Sequence, residues 1–456
     1  MKILVIIDNQ VMYRNFISTS AFSKLDKKHE LIFFFNNEIK INLKKKNYFF
    51  YTFDSKKYKN IQLAISTIFF FKNWNKSSTF KYRYWRMLNL HYLFNKKENV
   101  LTRYVKFLYS FTSLRGLWYL ILPVITLLNF KNWIVDVITK KIEIPNEIKT
   151  FLINEKKIDL ILMPSSGLDS ITLILDRISK LNKSKKAVLI NNWDNLSSKG
   201  SFWYKPEFLG VWGHQMREHA ANIQNIPKKN IFITGSPTYT KYFQIRNKKI
   251  KSPYRFKYFL FFGPALPFDE LRVLDNIDKI LTNNKKIFKS IKLIYRPHPF
   301  RHPRESEDNF FKKKFKNIIL DNQSKTYYKK KGSGFYPALK YYPALIQNSE
   351  LVIAPLSTML LESLIFYKKI LIINHEDDYH FTTPRRNLKY FEHLKIIKNN
   401  KLFFFSRNLK DMENTLIRCF KESKKNKKEI DNLRDNILIN SFNYKNLLSR
   451  AIEEIK

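Results

Sequence analysis

The sequence predicts an α/β protein built from two doubly wound halves with a helical segment at its C-terminus. Three observations predict it. Short apolar runs recur along the chain, stretches of helical period separate them, and polar residues gather where the runs end. Runs without polar alternation suit strands buried on both faces of a parallel sheet, and the ligands of such sheets bind beyond the strands' carboxyl ends. With 456 residues, 44% of them hydrophobic, the chain can bury a core in each of two domains.

The first half, 1–245, opens with the run Met1–Ile7, followed by Asp8, Asn9 and Gln10. Leu31–Phe35 and Tyr48–Thr52 read as the next strands, with a helix over Tyr13–Leu25 between the first two. A basic and aromatic insertion occupies about 56–150. From Lys72 to Lys106 nine Lys and Arg are interleaved with Trp74, Phe80, Tyr82, Tyr84, Trp85, Tyr92 and Phe94, and Glu98 is the single acid. The uncharged stretch Gly116–Phe130, broken by Pro123, is shorter than the ~20 residues of a membrane span. A buried helix and a helix lying in a membrane interface both fit it.

Parallel-sheet order then resumes. Ile158–Met163 precedes Pro164, Ser165, Ser166, Gly167 and Asp169, and a helix follows over Ser170–Leu181. Ala187–Ile190 ends at Asn191, Asn192, Trp193 and Asp194; Leu209–Trp212 leads into a helix over Gln215–Ile223, and Ile231–Pro237 closes the half.

The second half, 246–456, starts with the strand Tyr258–Phe262, ending at Gly263 and Pro264, and a helix over Asp269–Leu281. Ile291–Tyr295 breaks at Arg296, Pro297, His298 and Pro299. Leu351–Ala354 gives way to Ser357 and Thr358 and to a helix with Leu360, Leu361, Leu364 and Ile365 on one face, then the strand Ile370–Ile373. A weak strand at Leu402–Phe405 and helices over Leu409–Lys421 and Lys428–Glu454 complete the chain.

These strand ends form a site suited to an anionic ligand. Ser357 and Thr358 offer hydroxyls and backbone N–H groups to a phosphate. Arg296 and His298 add charge-assisted hydrogen bonds, Gly263 lets a loop approach the ligand, and Glu362 accepts from a ribose or sugar hydroxyl. Each residue alone also fits an ordinary cap, turn or solvated position; it is their gathering at successive strand ends that favours a site. Neither a Gly-rich P-loop nor a GxGxxG run occurs, so a kinase or dehydrogenase would lack its phosphate cradle.

Arg296-Pro-His-Pro299, followed some sixty residues later by Ser357-Thr358 and Glu362, resembles the donor half of a GT-B glycosyltransferase. It is similar to bacterial surface-polysaccharide enzymes of the sialyltransferase and Kdo-transferase groups, and to glycerophosphotransferases of wall polymers. The resemblance implies two Rossmann-like domains, with His298 and Ser357 contacting the nucleotide of a nucleotide-sugar donor.

Inverting sugar transfer needs a base for the acceptor hydroxyl. In the similar sialyltransferases an acidic motif after an N-domain strand supplies it, and Asp194 is the residue chosen here. The match is partial, since this chain has Trp193-Asp194-Asn195 where those enzymes carry consecutive acids with a Gly. Asp194 as an N-cap or Asx-turn residue stays open, and Asp8 and Asp169 are the alternative bases. No metal and no cofactor is expected beyond the nucleotide-sugar co-substrate: Asp377 and Asp378 with His375 and His380 have permissive spacing but sit in a loop.

Cys419 is the single cysteine, which excludes an intramolecular disulfide and fits a reducing cytoplasm. The formal charge of +45 accompanies abundant Lys, Asn, Ile, Phe and Tyr and only 9 Gly, the residue usage of an A+T-rich genome. Part of that charge is therefore compositional, and no specific nucleic acid is expected. The N-terminus lacks a signal peptide's apolar core and cleavage site. The reading is a cytoplasmic glycosyltransferase acting on a surface-glycan or lipid-linked acceptor, with an anionic membrane surface at the inner face of the cell membrane as an open partner. A nucleotide-sugar epimerase, a glycerophosphotransferase-like enzyme and a non-catalytic basic binding protein are the alternatives.

Overall fold

The computed structural model describes residues 1–41, 45–54, 56–58, 61–62, 65, 69, 73–87, 98–111, 137, 139–140, 142–155, 157–167, 169, 171–266, 268–298, 313–324, 341–378, 380–423 and 426–455. They form two compact units. The first comprises Met1–Leu90, Lys106–Thr240 and Asp435–Lys456, the second His91–Val105 and Lys241–Arg434.

The first unit holds β1 (Lys2–Ile7), β2 (Glu30–Asn36), β3 (Tyr48–Tyr51), β4 (Leu160–Ser165), β5 (Lys185–Ile190), β6 (Phe208–Val211) and β7 (Ile231–Ile233). Their order is β3-β2-β1-β4-β5-β6-β7, and every pairing is parallel. This is a Rossmann-like doubly wound sheet that reverses direction between β1 and β4. Ile3 to Ile7 are wholly buried, which explains why this strand reads as one unbroken apolar run. On one face Ile3, Val5 and Ile7 join Phe33, Phe35, Leu160, Leu162 and Leu189 in a core. The register Ile7↔Phe35 brings the ends of β1 and β2 level, and Ser165↔Ile190 does the same for β4 and β5.

The second unit holds β8 (Tyr258–Phe262), β9 (Lys292–Arg296), β10 (Ile318–Leu320), β11 (Val352–Ala354), β12 (Ile370–Ile373) and β13 (Phe403–Ser406). Their order, β10-β9-β8-β11-β12-β13, is again all parallel and reverses between β8 and β11. The helix Glu270–Asn283 starts where Asp269 accepts from the Arg272 amide at 3.2 Å. Its Val273, Leu274, Ile277, Ile280 and Leu281, spaced three and four apart, pack into the core with Met412, Leu416 and the thiol-bearing Cys419. The predicted fold class of two Rossmann-like domains is thus what the strand order within each unit shows.

Four local expectations differ. The helix expected over Tyr13–Leu25 is a turn of α-helix, Gln10–Met12, and a π-helical stretch, Tyr13–Ile17, and it stops before Ser20, whose φ of 53° is left-handed. β10 was not anticipated. The helix expected over Lys428–Glu454 is two, Lys427–Ile437 and Tyr444–Glu453, parted where Asn440 accepts from the Phe442 amide. The second of these belongs to the first unit, although the sequence reading places it in 246–456: Tyr444, Leu448, Ala451 and Ile452 bury themselves against β1 and β2.

The connection into this helix also closes one end of the first sheet. Ser441 Oγ accepts from the Ser236 amide at 3.0 Å, and Gly235 there has a φ of +76° and no room for a Cβ, which would lie 2.5 Å from Ser441 Oγ. The uncharged stretch Gly116–Phe130 and the residues Lys72, Tyr92, Phe94, Lys96 and Lys97 lie outside the described residues, as do Lys424 and Lys425 of the lysine run. Phe80 and Tyr82 of the helix Ser78–Met87 are core residues.

Candidate functional site

Open parallel sheets bind ligands at the strand ends beside the reversal point. In the first unit that point is framed by Asp8 after β1, by Ser165 at the end of β4, and by Ser166 and Asp169 beyond it. Asp8 Oδ1 accepts from Tyr51 Oη at 3.3 Å and Asn36 Nδ2 at 3.5 Å, groups that the parallel register delivers from the ends of β3 and β2. Burial, and next the charge of nearby Asp169, push the Asp8 carboxyl up to about 6, against the hydrogen bonds from Asn36, Tyr51 and Asn9. Tyr51 is pushed far upward by its own burial and by Asp8, so it stays a donor.

Asp169 is held more firmly. Ser165 Oγ and the Ser166 amide donate to its Oδ2 at 2.6 and 2.8 Å, and Ser166 Oγ donates to Oδ1 at 2.6 Å. Two carboxylates, one fastened and one with a raised pKa, thus share this strand edge. Asn15 Nδ2 donates to Asn191 Oδ1 at 2.9 Å, bringing an amide pair to the same edge.

Asp194 has a different setting. It precedes the π-helical turn Asn195–Lys199 with a backbone near αR and makes no side-chain cap. Its carboxylate lies 3.6 Å from Lys199 Nζ, and Arg83, whose guanidinium binds the carbonyls of Ser198 and Lys199, feels its charge. The cap that the sequence leaves open is therefore not formed by this side chain. Trp193 beside it is a buried residue whose Nε1 donates to Gln215 Oε1 at 2.8 Å.

In the second unit, Gly263 follows β8, Arg296 ends β9 with His298 beyond it, and Ser357 and Thr358 follow β11. Arg296 is 2% exposed, paired with Asp321, and donates to Gln323 Oε1 at 2.6 Å under the Tyr342 ring, 4.2 Å away. Tyr254 and Tyr341 donate to the same Asp321 carboxylate. The expectation that Arg296 turns its charge to a phosphate gives way to a buried ion pair within the protein.

Burial, and secondarily the Arg296 charge, hold His298 down at about 4. It is a neutral imidazole at physiological pH, so the charge-assisted bond expected of it becomes an ordinary one. Ser357 Oγ accepts from the Met359 amide at 3.3 Å, and Thr358 begins the helix Met359–Ile365 without a side-chain cap. Glu362 is buried and accepts from Tyr242 Oη at 2.7 Å. Gly263 donates its amide to the Arg296 carbonyl at 2.9 Å, and a Cβ there would lie 2.6 Å from Glu270 Oε2. Glu270 in turn accepts from Tyr295 Oη at 2.6 Å.

The His and Asp loop after β12 is a hydrogen-bonded structure. His380 Nδ1 lies 2.7 Å from Asp377 Oδ2, while His375 Nε2 lies 2.7 Å from Ser406 Oγ. Burial, partly offset by Asp411, keeps His375 neutral with its pKa down at about 4. Among the described residues no three such side chains converge on one point.

The sequence reading missed Asn36, Tyr51, Glu270, Asp321 and Tyr242. Asn36 follows an apolar run, so the strand-end rule that selected Asp8 could have found it. Tyr242 and Glu362 are separated by 120 positions and carry no local signal.

Neither the protein-family models nor the curated proteins yield a match to this chain. Among solved structures it is similar to the UDP-GlcNAc 2-epimerase from Methanocaldococcus jannaschii, with 13% identity, 99% of each chain covered and a TM-score of 0.49. It is also similar to the calicheamicin glycosyltransferase CalG4, with 7% identity, 100% and 98% covered and a TM-score of 0.49. For the α,α-trehalose 6-phosphate synthase from Burkholderia multivorans the values are 9%, 99% and 96%, and 0.48. The fold assignment rests on the strand order and register described above.

Proposed function

We propose that this protein is a nucleotide-sugar glycosyltransferase that uses Asp8 as its base. The observation that carries this reading is the Asp8 carboxyl, raised to about 6 at the reversal point of the first sheet beside a second carboxylate. A base with a pKa near the working pH is ionised yet still basic enough to take a hydroxyl proton. Asp194 is the less suitable base, because it follows β5, away from the reversal point between β1 and β4, and its carboxylate is engaged by Lys199 at 3.6 Å.

In the reaction the acceptor hydroxyl gives its proton to Asp8 as its oxygen bonds to the anomeric carbon. The bond from that carbon to the donor phosphate breaks, and the nucleotide leaves with the electron pair. Ser357, Thr358 and the backbone N–H groups beside them are the proposed partners of the phosphate, with His298 as a neutral hydrogen-bonding group. Glu362, oriented by Tyr242, is the proposed partner of a ribose or sugar hydroxyl. Asn15, Asn191 and Asp169 suit the hydroxyl-rich surface of a glycan or the sugar end of a lipid-linked acceptor.

A paired carboxylate edge also suits removal and return of a proton on one sugar, so an epimerase is the second reading. Incubation with UDP- and CMP-sugars, with and without glycan acceptors, separates them. Transfer appears as acceptor-dependent release of nucleotide with a new glycosidic bond. An altered sugar still attached to its nucleotide, formed without acceptor, would replace the transferase reading.

A further inference from the structure

The helix Val100–Phe111 turns its apolar residues outward. Val100, Leu101, Tyr104, Val105 and Leu108 are 58, 74, 53, 56 and 62% exposed. At about 100° per residue they fall within a stripe about 140° wide. Lys106 is exposed on the opposite side, and Phe107 is half-buried. Single exposed apolar residues are ordinary, but five gathered in one stripe need a partner.

Charge selects that partner. The helix carries Arg103 and Lys106 and no acid, the sequence from Lys72 to Lys106 holds nine basic residues and one acid, and the chain has a formal charge of +45. A second copy would bring the same charge to the contact and be repelled. A nucleic acid would neutralise the cations but leave the apolar stripe in water. An anionic lipid surface satisfies both at once, taking the stripe at its acyl boundary and the cations at its headgroups. Twelve helical residues span about 18 Å, well short of the ~30 Å hydrocarbon core. The helix can therefore lie in the interface but not cross it. We infer that the outward stripe of Val100–Phe111 is a docking surface for an anionic membrane.

Flotation of the full chain with phosphatidylcholine vesicles, with and without phosphatidylglycerol, tests this. Wild type should float with the anionic vesicles only, and less so at high salt. The triple substitution Leu101→Ser, Val105→Ser, Leu108→Ser removes exposed side chains, so the melting temperature should hold while vesicle partitioning falls at least about tenfold. Lys106→Glu, a separate change, should also lower partitioning. Flotation of both variants at the wild-type level would overturn the proposal. So would a wild type that ignores vesicles but forms a dimer, or binds RNA, through this same stripe.

Discussion

The reversal points of the two sheets treat charge in opposite ways. In the second unit the buried Arg296 charge is matched by the Asp321 carboxylate. In the first, Asp8 is half-buried near another carboxylate, with a tyrosine and two amides donating to it, and its pKa rises. A charge paired inside the protein helps fix the groups around it, which suits holding a ligand in one pose. A mismatched edge stores free energy in a carboxylate that gains by taking a proton, which suits chemistry.

The strongest challenge to this contrast is a single isosteric change in the first unit. Asp8→Asn keeps the shape but takes no proton, so turnover should fall by ~10²–10⁴ while nucleotide affinity stays within a few-fold. In wild type, the rate should climb as pH rises through about 6. A folded Asp8→Asn protein with normal turnover would end the assignment.

In the second unit, removing one member of a matched pair should damage folding rather than chemistry. Arg296→Met leaves the Asp321 carboxylate buried without its cation, so denaturant titration should show a loss of ~3–5 kcal/mol. If Arg296 served a phosphate instead, stability would be spared and nucleotide affinity lost.

The same contrast predicts opposite behaviour for Asp8→Asn in stability. Because the folded-state pKa of Asp8 is raised from 3.8 to about 6, the native state binds its proton more tightly than the unfolded chain does. Stability from this group is present below pH 4 and lost as pH rises to about 6. Above that window Asp8→Asn should therefore be the more stable protein, by ~1–3 kcal/mol, and the advantage should vanish in acid.

Ligand holding in the second unit should be milder and insensitive to pH. Ser357→Ala and His298→Ala should each weaken nucleotide binding by ~1–3 kcal/mol. With His298 already neutral above about 4, the affinity of wild type should not change between pH 6 and 8 through this residue. A drop in affinity centred on an ordinary histidine pKa would mean that His298 is charged when it binds.

What the sequence made legible follows from burial. β1, β4, β5, β8 and β9 lie inside their sheets, so their residues must be apolar on both faces and stand out as runs. β10 is an edge strand of three residues bordered by Asn317 and Asp321, and the sequence reading passes over it. Strand ends were legible too, which is why Asp8, Asp169 and Asp194 were all selected. Their ranking was not. Which strand end lies at the reversal point depends on strand order, and the Asp8 carboxyl is set by neighbours delivered from distant segments, Tyr51 and Asn36. The partners of Arg296 and Glu362 escaped for the same reason, since Asp321 and Tyr242 are joined to them only by the fold.

The smallest expected effect separates the two aspartates most directly. Asp194 and Asp8 both follow a strand of the same sheet, and both substitutions to Asn preserve size. Asp194 has Lys199 3.6 Å away and is half-buried, so replacing it removes a partly exposed ion pair of ~0–1 kcal/mol. Its carboxylate makes no helix cap, so no further stability should be lost. Away from the reversal point and engaged by Lys199, it is not placed as the base, and Asp194→Asn should leave turnover within a few-fold of wild type. If turnover instead falls by ~10² or more while Asp8→Asn stays active, the base belongs to Asp194. The raised pKa of Asp8 would then be only the cost of burying a carboxylate beside Asp169.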